Sequence, residues 1–121
     1  HYSTAEDMAR LVVYALKNDT FRQAFTSRSY TMASTAFHPG GFTVTSTLFA
    51  SLSDPSVTGG EILGGKTGYT QEAGLCLASL AEVNGKEYVL VTAGAPGDHQ
   101  SEPYHVLDAV KVYGRIGENA E

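Results

Sequence analysis

Residues 61–95 read EILGGKTGYTQEAGLCLASLAEVNGKEYVLVTAGA and contain three apolar runs, over Glu61–Thr67, Ala73–Val83 and Tyr88–Ala93. Their composition and the glycines around them predict three consecutive β-strands. Asn84-Gly85, between the second and third runs, is typical of a two-residue hairpin turn, so these strands should be antiparallel. The third run has apolar residues on both faces, which predicts a central strand that is covered on both sides.

Apolar residues recur at helical spacing near both ends of the chain. Ser3 to Glu6 form a capping box, in which the Ser3 hydroxyl accepts a hydrogen bond from the Glu6 amide, and the helix that follows should end near Asn18. A short second helix is expected to start from a cap at Thr20, and Tyr104 to Tyr113 should form a closing helix. The positions that define the three helices are Met8, Leu11, Val12, Ala15, Leu16, Phe21, Ala24, Phe25, Val106, Leu107 and Val110.

The middle of the chain is less regular. Ser29 to Thr35 is predicted to be extended, and Phe42 to Thr45 resumes an extended chain after the Pro39-Gly40-Gly41 turn. Residues 46–52 are consistent with either a helix or irregular structure. The predicted class is therefore α+β, with a three-stranded antiparallel C-terminal meander flanked by helices.

Length, composition and charge indicate a globular protein and argue against some classes of partner. A chain of 121 residues fits one domain or a piece of one, and 42% hydrophobic with 17% charged residues describes a globular sequence. The net charge of −5 argues against nucleic acid as a partner, because nucleic-acid binding needs a basic face. No apolar run of about 18 residues is present, so the sequence predicts no membrane span.

The cysteine and the histidines give weak signals. Cys76 is the single cysteine, and its position between two leucines predicts a buried, inert thiol. His38, His99 and His105 are dispersed, and no pair has metal-ligand spacing with a third partner, so we interpret them as surface or capping residues. Neither a metal nor a cofactor is expected.

Lys66-Thr67-Gly68 is the strongest candidate for a functional site. An ammonium, a hydroxyl and an unpaired strand edge suit an extended peptide that ends in a carboxylate, and Gly68 removes a side chain where such a ligand would lie. A different interpretation is a solvated surface lysine on a bulged, glycine-rich edge strand without any ligand.

The longer context favours the first interpretation. Gly64 to Thr70 and the following Glu72 to Ala78 strongly resemble the serine-type D-alanyl-D-alanine carboxypeptidases, which are the low-molecular-mass penicillin-binding proteins. Other segments resemble the same family in its own order, namely His1–Ala9, His38-Pro39, Ser46–Phe49, Tyr88–Ala95 and Tyr104–Tyr113. The family's Ser-x-x-Lys and Ser-x-Asn motifs do not occur here, so residues 1–121 are interpreted as the C-terminal fragment of a catalytic domain with a partial β-lactamase/transpeptidase-like fold.

The resemblance implies a role for each residue of the strand. Lys66 would supply positive potential and hydrogen-bond the serine of Ser-x-Asn, and Lys66 with Thr67 would hold the terminal carboxylate of the substrate. The backbone N–H of Tyr69 would be one donor to the oxyanion, while the other donor belongs to the missing nucleophile. Gly68 would keep the approach open, and Thr70 would border the site.

The implied reaction removes the terminal D-alanine from a peptidoglycan stem peptide through an acyl-enzyme, and β-lactams would acylate the intact parent. One departure is that no arginine follows the last strand closely: Pro96 to His99 come next, and the first arginine is Arg115. Two alternatives remain open, a serine β-lactamase and a non-catalytic module that binds peptides or carboxylates.

Further expectations follow from the missing segments. The fragment alone should be inactive because it has no nucleophile. The absent first strands would pair beside residues 87–95, so this strand edge should be exposed and should drive self-association. Since peptidoglycan lies outside the cytoplasmic membrane, the parent should be extracytoplasmic, secreted and membrane-associated.

Overall fold

Long antiparallel strands pair around the Asn84-Gly85 turn at the centre of the computed structural model, which describes residues 1–119. The elements in chain order are α1 (Ala5–Ala15), α2 (Asp19–Thr26), β1 (Ser29–Met32), β2 (Phe42–Thr45), α3 (Thr47–Ala50), β3 (Ser56–Val57), β4 (Gly60–Thr70), β5 (Gly74–Val83), β6 (Lys86–Ala95) and α4 (Tyr104–Glu118). The predicted α+β class is confirmed, and no helix in the described range is long and apolar enough to cross a membrane.

The main sheet has the order β3-β4-β5-β6 and is antiparallel throughout. The hairpin prediction is confirmed, because Asn84 and Gly85 have φ of 53° and 80°, the positive values that a type I′ turn requires. The meander gains a short additional strand, β3, which pairs with β4 only at Gly60 and Glu61.

The prediction that the third run is a central strand is wrong for this chain. β6 is the outermost strand of the main sheet within residues 1–119. The predicted cover on both sides is confirmed, since α1 packs on one face of β6 and α4 packs on the other. The expected free edge at residues 87–95 is therefore present in the described part of the chain.

Two hydrophobic clusters lie on opposite faces of the sheet, so the fold has three layers. On one face α1 and α2 bury Val12, Leu16 and Phe25 against Leu80. On the other face α3 and α4 pack against β4 and β5, and the buried residues are Leu48, Ile62, Leu77, Ala81, Val83, Val106, Ala109 and Tyr113. The outer part of the α1 stripe is not covered, since Met8 and Leu11 are 38% and 56% exposed.

Both helix caps lie away from their predicted positions. α1 is capped by Thr4, whose hydroxyl accepts from the Asp7 amide at 3.0 Å, and not by Ser3. α2 is capped by Asn18, whose side-chain oxygen accepts from the Phe21 amide at 3.0 Å, and not by Thr20. The α4 helix extends past Tyr113 to Glu118, five residues beyond the prediction.

β1 and β2 form a separate two-stranded ribbon, in which the predicted extended segments pair with each other. Because side chains alternate along each strand, Tyr30, Met32, Phe42 and Val44 share one face and Ser29, Thr31, Thr43 and Thr45 share the other. All eight are exposed, so the ribbon has one apolar and one hydroxyl-bearing face.

A β-bulge interrupts the pairing of β4 with β5 between Ile62 and Gly64. Ile62 pairs with Ala81 on the α4 side, whereas Gly64 pairs with Leu80 on the α1 side. Leu63 is the extra residue, and it reverses the face to which each later side chain of β4 points.

Candidate active site

The outer edge of β4 is available from residue 63 onward. The pairing of β3 with β4 ends at Glu61, and no other strand within residues 1–119 pairs with this edge. β4 carries Lys66, Thr67 and Gly68 along this edge. An unpaired antiparallel edge exposes backbone donors and acceptors that an extended peptide can match.

Two consecutive glycines let helices approach the strand from opposite faces. A Cβ at Gly64 would lie 2.1 Å from the Phe25 carbonyl oxygen at the end of α2. A Cβ at Gly65 would lie 2.6 Å from the Ala78 carbonyl oxygen and 2.9 Å from Leu48 Cδ2 in α3. These two glycines are therefore required by packing within the chain.

Gly68 differs from the two glycines before it. A Cβ at Gly68 would meet no atom within 4 Å, and the residue is not among the glycines with positive φ. Within residues 1–119, neither packing nor backbone conformation explains the missing side chain. Open space is left at this point of the strand, beside Lys66.

Lys66 and Thr67 point to opposite faces of the sheet, as the alternation of the strand predicts. Lys66 pairs with Ala78 on the α1 side, and Thr67 pairs with Leu77 on the α4 side. The exposed Lys66 ammonium donates a hydrogen bond to the Thr67 carbonyl oxygen. The Thr67 hydroxyl hydrogen-bonds the Thr47 hydroxyl in the first turn of α3.

Sequence reasoning missed Thr47 as a member of this site. The residue lies 20 positions before Thr67, and Ser46 to Phe49 carries no local pattern that predicts the contact. α3 spans only four residues, and the burial of Leu48 against β4 fixes its position.

Tyr69 and Thr70 have their own local contacts. The Tyr69 ring meets the His99 ring edge-to-face, with 5.0 Å between centroids. The Thr70 hydroxyl accepts from the Ala73 amide at 3.0 Å, which stabilises the turn into β5. Thr70 is therefore the last residue of β4, and its side chain stabilises the turn that follows.

An apolar groove of about 590 Å³ lies on the α1 side of the strand. The exposed Met8 and Leu11 of α1 form one wall, and Lys66, Gly68 and Cys76 form part of the other. Cys76 is only partly buried and lines this groove, so the prediction of a buried thiol is wrong. Its residual exposure arises because Gly68, its partner across the strands, has no side chain to cover it.

A second space, of about 490 Å³, lies on the opposite face and is here called the α4 cavity. It lies between Lys66–Tyr69 of β4, the loop that contains Asp98 and His99, and the first turn of α4. Lys66 and Thr67 thus border the space on both sides of the sheet.

The interpretation of His105 as a surface residue is wrong. His105 is 7% exposed, and it lines the α4 cavity together with His99, so these two histidines are not dispersed. Burial lowers the pKa of His105, and the nearby Asp108 carboxylate opposes that shift in part. Within residues 1–119 no group of three histidine, cysteine or acidic side chains could hold a metal ion.

The sequence of the chain matches one known protein family. A sequence profile of the D-alanyl-D-alanine carboxypeptidase family matches residues 1–97. A search of curated proteins found no match.

Solved structures share the fold. A D-alanyl-D-alanine carboxypeptidase from Mycobacterium tuberculosis H37Rv superposes with a TM-score of 0.70 at 23% identity, over 94% of this chain and 40% of that one. The Streptomyces K15 DD-transpeptidase superposes with a TM-score of 0.68 at 30% identity, over 96% of this chain and 43% of that one. A mutant of that enzyme superposes with a TM-score of 0.71 at 28% identity, over 96% of this chain and 44% of that one.

The antiparallel sheet with helices on both faces is thus the fold of DD-peptidases. The chain belongs to the D-alanyl-D-alanine carboxypeptidase family. It spans less than half the length of the solved structures that it matches.

Proposed function

We propose that this chain is the carboxylate-binding part of a serine-type D-alanyl-D-alanine carboxypeptidase, which removes the terminal D-alanine from peptidoglycan stem peptides. The observation that carries the proposal is the free edge of β4, where Lys66 and Thr67 lie beside Gly68, a glycine that no packing contact in the described part of the chain requires. Family membership supports the same activity.

The substrate would add to the sheet as an extended strand along the outer edge of β4. Its terminal carboxylate would accept hydrogen bonds from Thr67 and lie in the positive potential of Lys66. The scissile carbonyl oxygen would accept a hydrogen bond from the backbone N–H of Tyr69. This bond would stabilise the oxyanion as negative charge develops on that oxygen. If the carbonyl lies at Tyr69 and the carboxylate at Thr67, the peptide runs antiparallel to β4.

The nucleophile would come from a segment of the parent protein outside residues 1–121. A serine attacks the amide carbon, the leaving D-alanine takes a proton, and water later hydrolyses the acyl-enzyme. The apolar groove supports an approach from the α1 side, because it exposes Met8 and Leu11 and opens onto Lys66. The Lys66 ammonium, which points to this side, would hydrogen-bond the serine of Ser-x-Asn.

The location follows from the substrate. Peptidoglycan lies outside the cytoplasmic membrane, so we propose an extracytoplasmic, secreted and membrane-associated parent. β-Lactams would acylate the same serine, because they present a carboxylate and a strained amide to the same donors.

The test uses the parent protein that contains this chain. The purified enzyme should be acylated by a fluorescent penicillin and should release D-alanine from an N-acylated D-alanyl-D-alanine peptide. Lys66→Ala should lower both rates by about a hundredfold or more, the loss typical of removing one group that stabilises the transition state. Lys86→Ala, at the exposed end of β6, should leave them unchanged.

Other outcomes separate the alternatives. Rapid turnover of penicillin without D-alanine release would identify a β-lactamase. Absence of both acylation and D-alanine release from the wild-type parent would overturn the enzyme assignment and leave a binding module. The 121-residue chain alone should not be acylated, and a burst of labelling would contradict its proposed inactivity.

A further inference from the structure

The α4 cavity contains groups that the proposed reaction has not yet used. Thr67 reaches it from β4, and its other walls are α3 with Ser51, the 98–101 loop and the start of α4. Among the residues that the structure describes, no arginine lines the cavity, although a carboxylate commonly pairs with one. Any anion that enters must therefore be held by other donors.

His105 is the most unusual of these groups. It is 7% exposed, it lines the cavity, and its Nδ1 has no hydrogen-bond partner within residues 1–119. Nε2 is not among the fully buried atoms without a partner, so it is the ring nitrogen that can meet water or a ligand. The neutral ring should therefore carry its proton on Nε2 and leave Nδ1 as the unpaired acceptor.

The N-terminus of α4 adds further donors. Pro103 is the N-cap residue, and no side chain caps this helix. The Pro103 carbonyl accepts from the amides of Val106 and Leu107, while the His105 amide makes no backbone bond outside the helix ladder. The partial positive charge of a helix N-terminus favours a bound anion within the first turn.

The charged groups that line the cavity differ in sign. Lys66 contributes a positive charge from β4, and Asp98 contributes a negative one from the loop. One oxygen of Asp98 already accepts from the amides of Gln100 and Ser101, at 2.9 and 3.0 Å. His99 packs on Tyr69, and both side chains line the cavity.

We propose that the α4 cavity receives the terminal carboxylate of the substrate and that His105, through its imidazole N–H, is a binding residue that fixes specificity for this carboxylate in place of an arginine. The inference rests on the proposed carboxypeptidase function. Thr67 and the first turn of α4 supply the other hydrogen bonds, and His99 closes the cavity over the bound group.

The experiment compares two substrates in the intact parent enzyme, an acyl-D-alanyl-D-alanine peptide with a free C-terminal carboxylate and the same peptide as its C-terminal amide. His105→Phe should raise KM for the acid by about ten- to a hundredfold, the range typical of one lost hydrogen bond to a charged group. KM for the C-terminal amide should change by less than a factor of two. His38→Phe is the matched control, since His38 lies against Phe42 on the ribbon.

A structural role for His105 would lower activity toward both peptides equally, and that result would overturn the inference. So would an unchanged KM for the acid. If the wild-type parent releases no D-alanine, the proposed function itself fails, which is a distinct result.

A second measurement covers the case in which His105→Phe does not fold. In the wild-type parent with ¹⁵N-labelled histidine, titration with N-acetyl-D-alanyl-D-alanine should shift the His105 Nε2 resonance, whereas the amide should not. Equal shifts with both ligands, or none with the acid, would contradict the proposal.

Discussion

The Thr67 hydroxyl, at the free edge of the sheet, is hydrogen-bonded to the Thr47 hydroxyl, 20 residues earlier in the chain. The contact fixes the rotamer of a side chain that would otherwise turn freely at an edge strand. A hydroxyl has one donor and two acceptor sites, so Thr67 keeps capacity for a ligand. Thr47 is thus a positioning residue for the proposed carboxylate site.

Thr47→Val keeps the shape of the side chain and removes this bond. We expect KM for D-alanyl-D-alanine peptides to rise by up to about tenfold with kcat nearly unchanged, because one neutral hydrogen bond contributes about 0.5–1.5 kcal/mol. Thr43→Val is the control, since Thr43 makes a similar 2.8 Å hydroxyl pair with Thr31 on the ribbon. Equal effects of the two changes would remove the special role of Thr47.

Substitution of single glycines separates packing from ligand access. Gly65→Ala should lower the free energy of unfolding by about 1–3 kcal/mol, because its Cβ would clash with backbone and with Leu48. Gly68→Ala should change it by less than about 0.5 kcal/mol, since the space around it is open. Gly68→Ala should nevertheless slow penicillin acylation of the parent strongly. Normal acylation with an unchanged melting curve would show that no ligand or partner segment needs this space.

A buried hydroxyl pair links the sheet to α4. Ser79 Oγ lies 2.8 Å from the Tyr113 hydroxyl, and burial raises the pKa of Tyr113 to about 12 although the Ser79 hydrogen bond lowers it. Ser79→Ala should cost about 1–3 kcal/mol because it leaves the tyrosine hydroxyl short of a partner. The double variant with Tyr113→Phe should cost less than the sum of the two single changes, by about 1 kcal/mol. If urea denaturation gives additive changes in the free energy of unfolding, the two hydroxyls are not coupled.

His105 should make stability depend on pH. Its pKa is lowered in the folded state, chiefly by burial, from an ordinary value of 6.5. Above that value the ring is neutral in both states, so stability is complete there. As pH falls below 6.5 the unfolded chain binds a proton that the folded chain does not, and stability is lost until the folded pKa is reached. Thermal melts from pH 7.5 to 5 should fall more steeply for the wild type than for His105→Phe, and parallel curves would refute the assignment.

The free edge of β6 predicts self-association of the 121-residue chain. The edge extends over residues 86–95 and has no strand partner within residues 1–119. An unpaired edge of this length readily pairs with another copy. Sedimentation velocity should show dimers or larger species at high concentration, while the parent protein under the same conditions should not use this edge. A monomer at every concentration would show that the edge is protected.

Local patterns predicted the strands well because alternation, glycines and the Asn84-Gly85 turn are all encoded within a few residues. The caps were misplaced by one or two residues because neighbouring polar residues compete: Thr4 with Asp7 offers the same spacing as Ser3 with Glu6. β6 was misplaced because apolar residues on both faces report the layers above and below a strand. They do not report its neighbours in the sheet.

The candidate site was predicted only where it is local. Lys66, Thr67 and Gly68 are contiguous, so their motif is visible in the sequence. Thr47 and His105 reach the site through the tertiary packing of α3 and α4. No spacing rule connects positions 20 or more residues apart, so these two residues required the structure.

The extra residue at Leu63 has a consequence for how this protein can change during evolution. Upstream of the bulge, even-numbered side chains of β4 point toward α4; downstream they point toward α1. Deletion of Leu63 would turn the bulge into a regular ladder with the same partners, so the ammonium and the hydroxyl would keep their faces. If Leu63 instead paired regularly with Leu80, every downstream side chain would change face although the motif itself stayed intact. Lineages that keep Lys-Thr-Gly can therefore lose the one extra residue without exchanging the faces of the motif, because the bulge and the residue disappear together.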